Sequence, residues 1–92
     1  MTRIVYEPGL PAMRFSGHAG AGTKGNDLVC AAVSALMFTL LAALEGSETK
    51  RCMADGFCAV SGGERTAYEV VAAGLRERAA ACPEHIKLEV RA

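Results

Sequence analysis

Between Leu28 and Leu44 the chain runs through seventeen residues without one charged side chain. No arrangement of a small protein leaves such a stretch wholly in water, so the fold has to be built around it. Alanines and leucines dominate it, and no proline interrupts it, which predicts a helix over roughly Asp27 to Glu45. Asn26 or Asp27 is the candidate N-cap, since a side-chain oxygen there accepts from an orphan backbone N–H. Gly46 is the natural stop. Such a helix is about 28 Å long, enough to cross a small domain. It is apolar nearly all round, and so predicted to be mostly buried. By length alone it nearly spans a bilayer. Cys30, Ser34 and Thr39, the many alanines and the lack of a flanking basic cluster favour a core helix instead.

Shorter elements surround it. Arg3 to Glu7 reads as a strand, broken by Pro8, Gly9 and Pro11. Ala12 to Ser16 resumes as a strand with Met13 and Phe15 on one face. Gly17 to Asn26 holds Gly17, Gly20, Gly22 and Gly25, a density that excludes a stable helix or strand and predicts a loop. Thr49 to Ala54 and Phe57 to Ser61 form a predicted hairpin around Asp55-Gly56. In that register Met53 faces Cys58 and Cys52 faces Ala59, so Cys52 and Cys58 project to opposite faces. Ser61 to Glu64 resembles a capping box opening a second helix that stops before Pro83. Tyr68, Val71, Ala72, Leu75, Ala79 and Cys82 share one face of that helix. Ile86, Leu88 and Val90 alternate with charged residues as a last strand with one buried face.

The order β-β-α-β-β-α-β predicts an α+β fold, two helices on one face of a mostly antiparallel sheet. The 92 residues, 1–92, suit a single domain with no linker or repeat. A domain of this size buries only about 60–65% of its unfolded surface, so dimerisation would add stability. The formal net charge is zero and no basic run stands out, so the usual footprint of a nucleic-acid binder is missing. No apolar signal core follows Met1, and the expected compartment is the cytoplasm, with thiols reduced. Cys30, Cys52, Cys58 and Cys82 form no CxxC pair and match no zinc spacing, so no metal or other cofactor is expected. Cys52, Cys58, Cys82 and His85 read as core residues, which leaves Cys30 to be explained.

His18 stands at the exit of a strand and Cys30 in the first turn of a helix, joined by the glycine-rich loop. A helix N-terminus carries partial positive charge and unpaired N–H groups, both of which stabilise a thiolate. The same N–H groups suit the oxyanion of acyl transfer. Asp27 opposes this by its charge, and fits better as helix cap or partner of His18. Ser34 lies one turn after Cys30 on the same face. Its hydroxyl either serves the sulfur, His18 or substrate, or bonds back to the Cys30 carbonyl as helical serines do. A cysteine in an apolar helix is also a common packing residue, so the pattern alone leaves both readings open. The loop lacks the lysine spacing of a phosphate-binding loop and the dinucleotide pattern.

Gly17-His18-Ala19, then Gly25, then Asp27 to Ser34 closely resemble the signature of the ribosomal-processing cysteine protease family (Prp, or YsxB-like). The resemblance is concentrated in about twenty residues. It implies a cysteine endopeptidase that trims a short N-terminal extension from bacterial large-subunit ribosomal protein L-twenty-seven, and a homodimer. The family's histidine and nucleophilic cysteine fall on His18 and Cys30, and its supporting aspartate and serine on Asp27 and Ser34. Gly20, Gly22, Gly25 and Asn26 are expected in the loop that closes over the substrate, an apolar segment containing aromatics. Two other readings compete: a non-catalytic ribosome-assembly or ribosome-binding module, and a thiol redox sensor, which would need a resolving cysteine within reach of Cys30.

Overall fold

A computed structural model describes residues 1–18, 20 and 27–92. The chain folds as β1 (Thr2–Glu7), β2 (Ala12–Ser16), α1 (Leu28–Ala43), β3 (Thr49–Ala54), β4 (Phe57–Gly62), α2 (Arg65–Ala81) and β5 (Ile86–Val90). The strands form one sheet in the order β3-β4-β2-β1-β5. Three pairings are antiparallel, and β1 pairs with β5 in parallel. The α+β class and the element order agree with the sequence reading. The predicted hairpin register also holds, with Met53 opposite Cys58 and Cys52 opposite Ala59.

Strand alternation sorts the side chains. Ile4 and Tyr6 of β1 lie opposite Phe15 and Met13 of β2, which in turn lie opposite Cys58 and Val60 of β4. All of these are buried on the face covered by both helices. The helices contribute Val33, Leu40 and Leu41 from α1, and Tyr68, Val71, Ala72 and Leu75 from α2. The Tyr6 and Tyr68 rings stack with centroids 6.1 Å apart. The other face of the sheet carries no helix, and Arg3, Arg14, Lys50 and Lys87 stand on it exposed.

Four expectations need correcting. The first is the burial of α1. Only one stripe of it is buried, while Leu28 is 83% exposed and Phe38 56% exposed. A helix that lies on one face of a sheet beside a second helix still leaves a side to water, and an all-round apolar sequence does not say which. The second concerns the start of α2. Ser61 stays in the β4 ladder opposite Ala12 and Lys50, so it cannot cap. Gly62 and Gly63 then turn the chain at φ +86° and +85°. Glu64 becomes the N-cap without a side-chain cap bond. The Tyr68 hydroxyl instead donates to the Gly62 carbonyl at 2.7 Å and ties this turn to the helix. The third is Cys52, which is exposed on the uncovered face rather than in the core. The fourth is the last strand, whose Ile86 is buried while Val90, at the edge of the sheet, is 45% exposed.

Candidate active site

Two backbone devices deliver the histidine. Gly17 leaves β2 at φ +83°, where a Cβ would stand 2.4 Å from the Met1 carbonyl oxygen, so no other residue fits. Its N–H donates to the Gly56 carbonyl at 2.9 Å, pinning the exit of β2 to the tip of the β3–β4 hairpin. His18 then projects with its ring against Gly56. A Cβ on Gly56 would lie 3.1 Å from His18 Nε2.

The cysteine is delivered by the helix cap. Asp27 has extended backbone and its Oδ1 accepts from the Cys30 N–H at 2.9 Å. Its carbonyl accepts from the Ala31 N–H at 3.0 Å, the first bond of the helical ladder. Of the two N-cap candidates the structure therefore selects Asp27. Cys30 sits half-buried in the first turn, its Sγ 4.0 Å from His18 Nδ1. That distance is the outer limit of a hydrogen bond to sulfur. Unliganded sites are commonly this loose, and tighten with substrate.

The cap changes one expectation. The Cys30 N–H is occupied by the Asp27 carboxylate, so it does not face a ligand as an oxyanion donor would. Leu28 and Val29 carry the amides that precede the first ladder bond, and these remain the helix's contribution to an anion.

His18, Cys30 and Ser34 line one cleft of about 270 Å³ between α1 and the β3–β4 hairpin tip. Met37 and Phe38 of α1 and Met53 of β3 supply much of its apolar wall. Phe38 and Met53 are both more than half exposed, large apolar side chains held at the rim without a cover. Gly20 is exposed at φ +71° with open space where a Cβ would be. Gly22, Gly25 and Asn26 lie outside the described residues. Among the described residues no three His, Cys, Asp or Glu side chains gather as metal ligands would.

The other cysteines differ in kind. Cys58 is buried, and burial pushes its thiol above the ordinary range, with Arg51 opposing the shift. Cys82 is half-buried against the core. All four cysteines are free thiols.

Sequence reasoning did not find Gly56. The Asp55-Gly56 turn was legible, but its place beside His18 depends on β4 pairing with β2. Ser16 lies opposite Phe57 in that pairing, so the residues after β2 run past the hairpin tip.

A thiol at a helix start beside an imidazole in an apolar cleft is able to carry out acyl transfer, the chemistry that defines the cysteine proteases. The chain belongs to the Prp family of these enzymes: the family described as cysteine protease Prp matches it over residues 2–87. Solved structures agree in fold. The essential ribosomal processing protease Prp from S. aureus, with a covalently linked product peptide, superposes with a TM-score of 0.87 at 20% identity, covering 99% of this chain and 100% of that one. The same S. aureus protease with a substrate peptide gives 0.78 at 19% identity, covering 99% and 100%. SMU.848 from Streptococcus mutans gives 0.68 at 25% identity, covering 97% and 90%. No curated protein matches the chain. No helix among the described residues is long and apolar enough to cross a membrane.

Proposed function

We propose that this cysteine protease removes a short N-terminal extension from the large-subunit ribosomal protein L-twenty-seven, with Cys30 as nucleophile and His18 as general base. The carrying observation is the 4.0 Å approach of Cys30 Sγ to His18 Nδ1 within one apolar cleft. The S. aureus relative, described as a ribosomal processing protease and solved with substrate and product peptides, supports the substrate class.

His18 takes the thiol proton and the sulfur attacks the scissile carbonyl. The carbon becomes tetrahedral, and its oxygen takes the negative charge near the Leu28 and Val29 amides. When the C–N bond breaks, the proton on His18 goes to the leaving amine. Water, deprotonated by the same imidazole, then hydrolyses the thioester and frees the sulfur. Asp27 holds the helix start in register. Ser34, one turn along α1 and in the same cleft, offers a hydroxyl to the sulfur, to His18 or to the substrate backbone. The Met37, Phe38 and Met53 wall suits an apolar segment with aromatic side chains. The enzyme works in the cytoplasm and needs no cofactor. It acts as a homodimer, in keeping with its small core and the exposed apolar side of α1.

Intact-mass analysis of a peptide spanning the extension tests this. The wild type is expected to release the extension, and Cys30→Ala is expected to leave it whole. Equal cleavage by the two ends the proposal. Binding of the ribosomal protein without cleavage by the wild type would favour a non-catalytic ribosome-assembly role.

A further inference from the structure

The formal net charge of zero conceals a strong asymmetry. Five of the ten Lys and Arg residues, Arg3, Arg14, Lys50, Lys87 and Arg91, stand on the helix-free face of the sheet. Only two of the ten acids, Glu7 and Glu89, share that face. Four of the cations meet in one open groove across β5, β1 and β2, about 260 Å³ in volume and lined by Arg3, Arg14, Lys87, Arg91, Glu89 and Ser16. Lys87 lies opposite Arg3, and Val5 separates Glu89 from Arg14 in the next row of the sheet. Glu89 pairs with Arg91. Arg91 is the main cause that lowers the Glu89 carboxyl, followed by Lys87 and Arg14, so this acid engages one cation of the groove and leaves Arg3, Arg14 and Lys87 around it.

The cations do not converge on a point, as a site for a single small anion requires. They are spread along the groove, about 5 Å apart across strands and about 7 Å apart along one. Three of the four are guanidiniums, whose planar fork matches phosphate oxygens two at a time. A second copy of the chain is a poor occupant, because two such faces would bring like charges together. The cleft of His18 and Cys30 is on the opposite side of the sheet: Phe15 lines it, and Arg14 points the other way.

We infer that the helix-free face of the sheet, centred on Arg3, Arg14 and Lys87, is a docking surface for the phosphate backbone of RNA. Binding there leaves the peptide cleft open, so one molecule can hold RNA and process a peptide together. The expectation from sequence that the protein avoids nucleic acid rested on zero net charge and on the lack of a basic run along the chain. These cations are scattered singly along the chain, and only the sheet gathers them.

The test is fluorescence anisotropy of a labelled single-stranded RNA titrated with the full chain carrying Cys30→Ala, so that the reading does not depend on proteolysis. Three phosphate contacts predict a fall of roughly 20-fold in affinity between about 50 mM and about 200 mM salt. The double variant Arg14→Glu, Lys87→Glu is expected to lose at least tenfold in RNA affinity. Placed in the otherwise wild-type chain, the same double change is expected to cleave peptide at the unaltered rate, which also shows that it folds. Arg76→Glu, on exposed α2, is expected to bind RNA as well as the parent does. Absence of binding at low salt, or equal losses at Arg76 and in the groove, overturns the inference. So does sedimentation showing that the double variant turns a dimer into a monomer, because a second copy would then own this face.

Discussion

The smallest features of the site carry sharp expectations. Gly46 and Gly56 both sit at left-handed φ, +81° and +69°, so alanine strains either backbone by about 1–2 kcal/mol. Only at Gly56 does the added methyl meet the imidazole, while at Gly46 it meets open space. Gly56→Ala is therefore expected to cut kcat for peptide cleavage at least tenfold, and Gly46→Ala to leave it near wild type. Urea unfolding of both variants checks that their stabilities fall together. Thiol alkylation at neutral pH gives a second expectation. Cys30 should react fastest and exposed Cys52 next. Cys58 should react slowest, because burial both hides it and lowers its thiolate fraction. Peptide mapping after brief labelling reads the order. Part of this scale was legible in the chain: Asp27 stands out as a cap candidate, and His18 and Cys30 flank the glycine-rich loop, although that pattern alone left Cys30 open between nucleophile and packing residue. Cys52 was not, because on a strand with few apolar neighbours nothing local tells which face will be covered.

Helix α1 works on two sides at once. Its inner stripe is core: Leu40 is fully buried, and Leu40→Ala is expected to cost about 2–5 kcal/mol in urea unfolding. Its outer rim serves the cleft. Phe38→Ala is expected to change stability by less than about 0.5 kcal/mol while raising KM for an aromatic-containing peptide. The N-cap is a third handle. Asp27→Ala should cost about 1 kcal/mol, and Asp27→Ser much less, since serine restores an acceptor for the Cys30 N–H. The helix and its cap could be read from sequence because they are local. Its division into buried and exposed sides could not, since an uninterrupted apolar run has no polar stripe to mark the outside. The capping box before α2 failed for a related reason. Ser61 has the right spacing, but its hairpin partner β3 on one side and the distant β2 on the other claim its backbone.

Across the whole molecule the stacked Tyr6 and Tyr68 tie the sheet to α2. Burial is the leading cause that raises both phenols, helped at Tyr6 by Glu69 and opposed at Tyr68 by Arg51. Each phenol is thus harder to ionise folded than unfolded. Their contribution is fully present below the unfolded phenol pKa of about 10, and is lost as pH climbs through the higher folded values. Cys58 adds a similar loss that starts nearer pH 9. Thermal melts should hold steady to about pH 8.5 and then decline as these groups ionise, earlier for Cys58 than for the tyrosines. The class of fold could be read from the pattern of elements, whereas the strand order could not. Nothing in either segment announces that β1 and β5 pair in parallel, because that contact joins residues separated by almost the entire sequence. The pairing has a consequence during synthesis. Until Ile86–Val90 has left the ribosome, β1 holds a bare row of amides and carbonyls beside a hairpin already able to form. A nascent chain stalled before that point offers neighbouring chains a template for intermolecular β-stacking, and the strand that finally takes over this edge carries Lys87 and Glu89, charges that discourage such stacking.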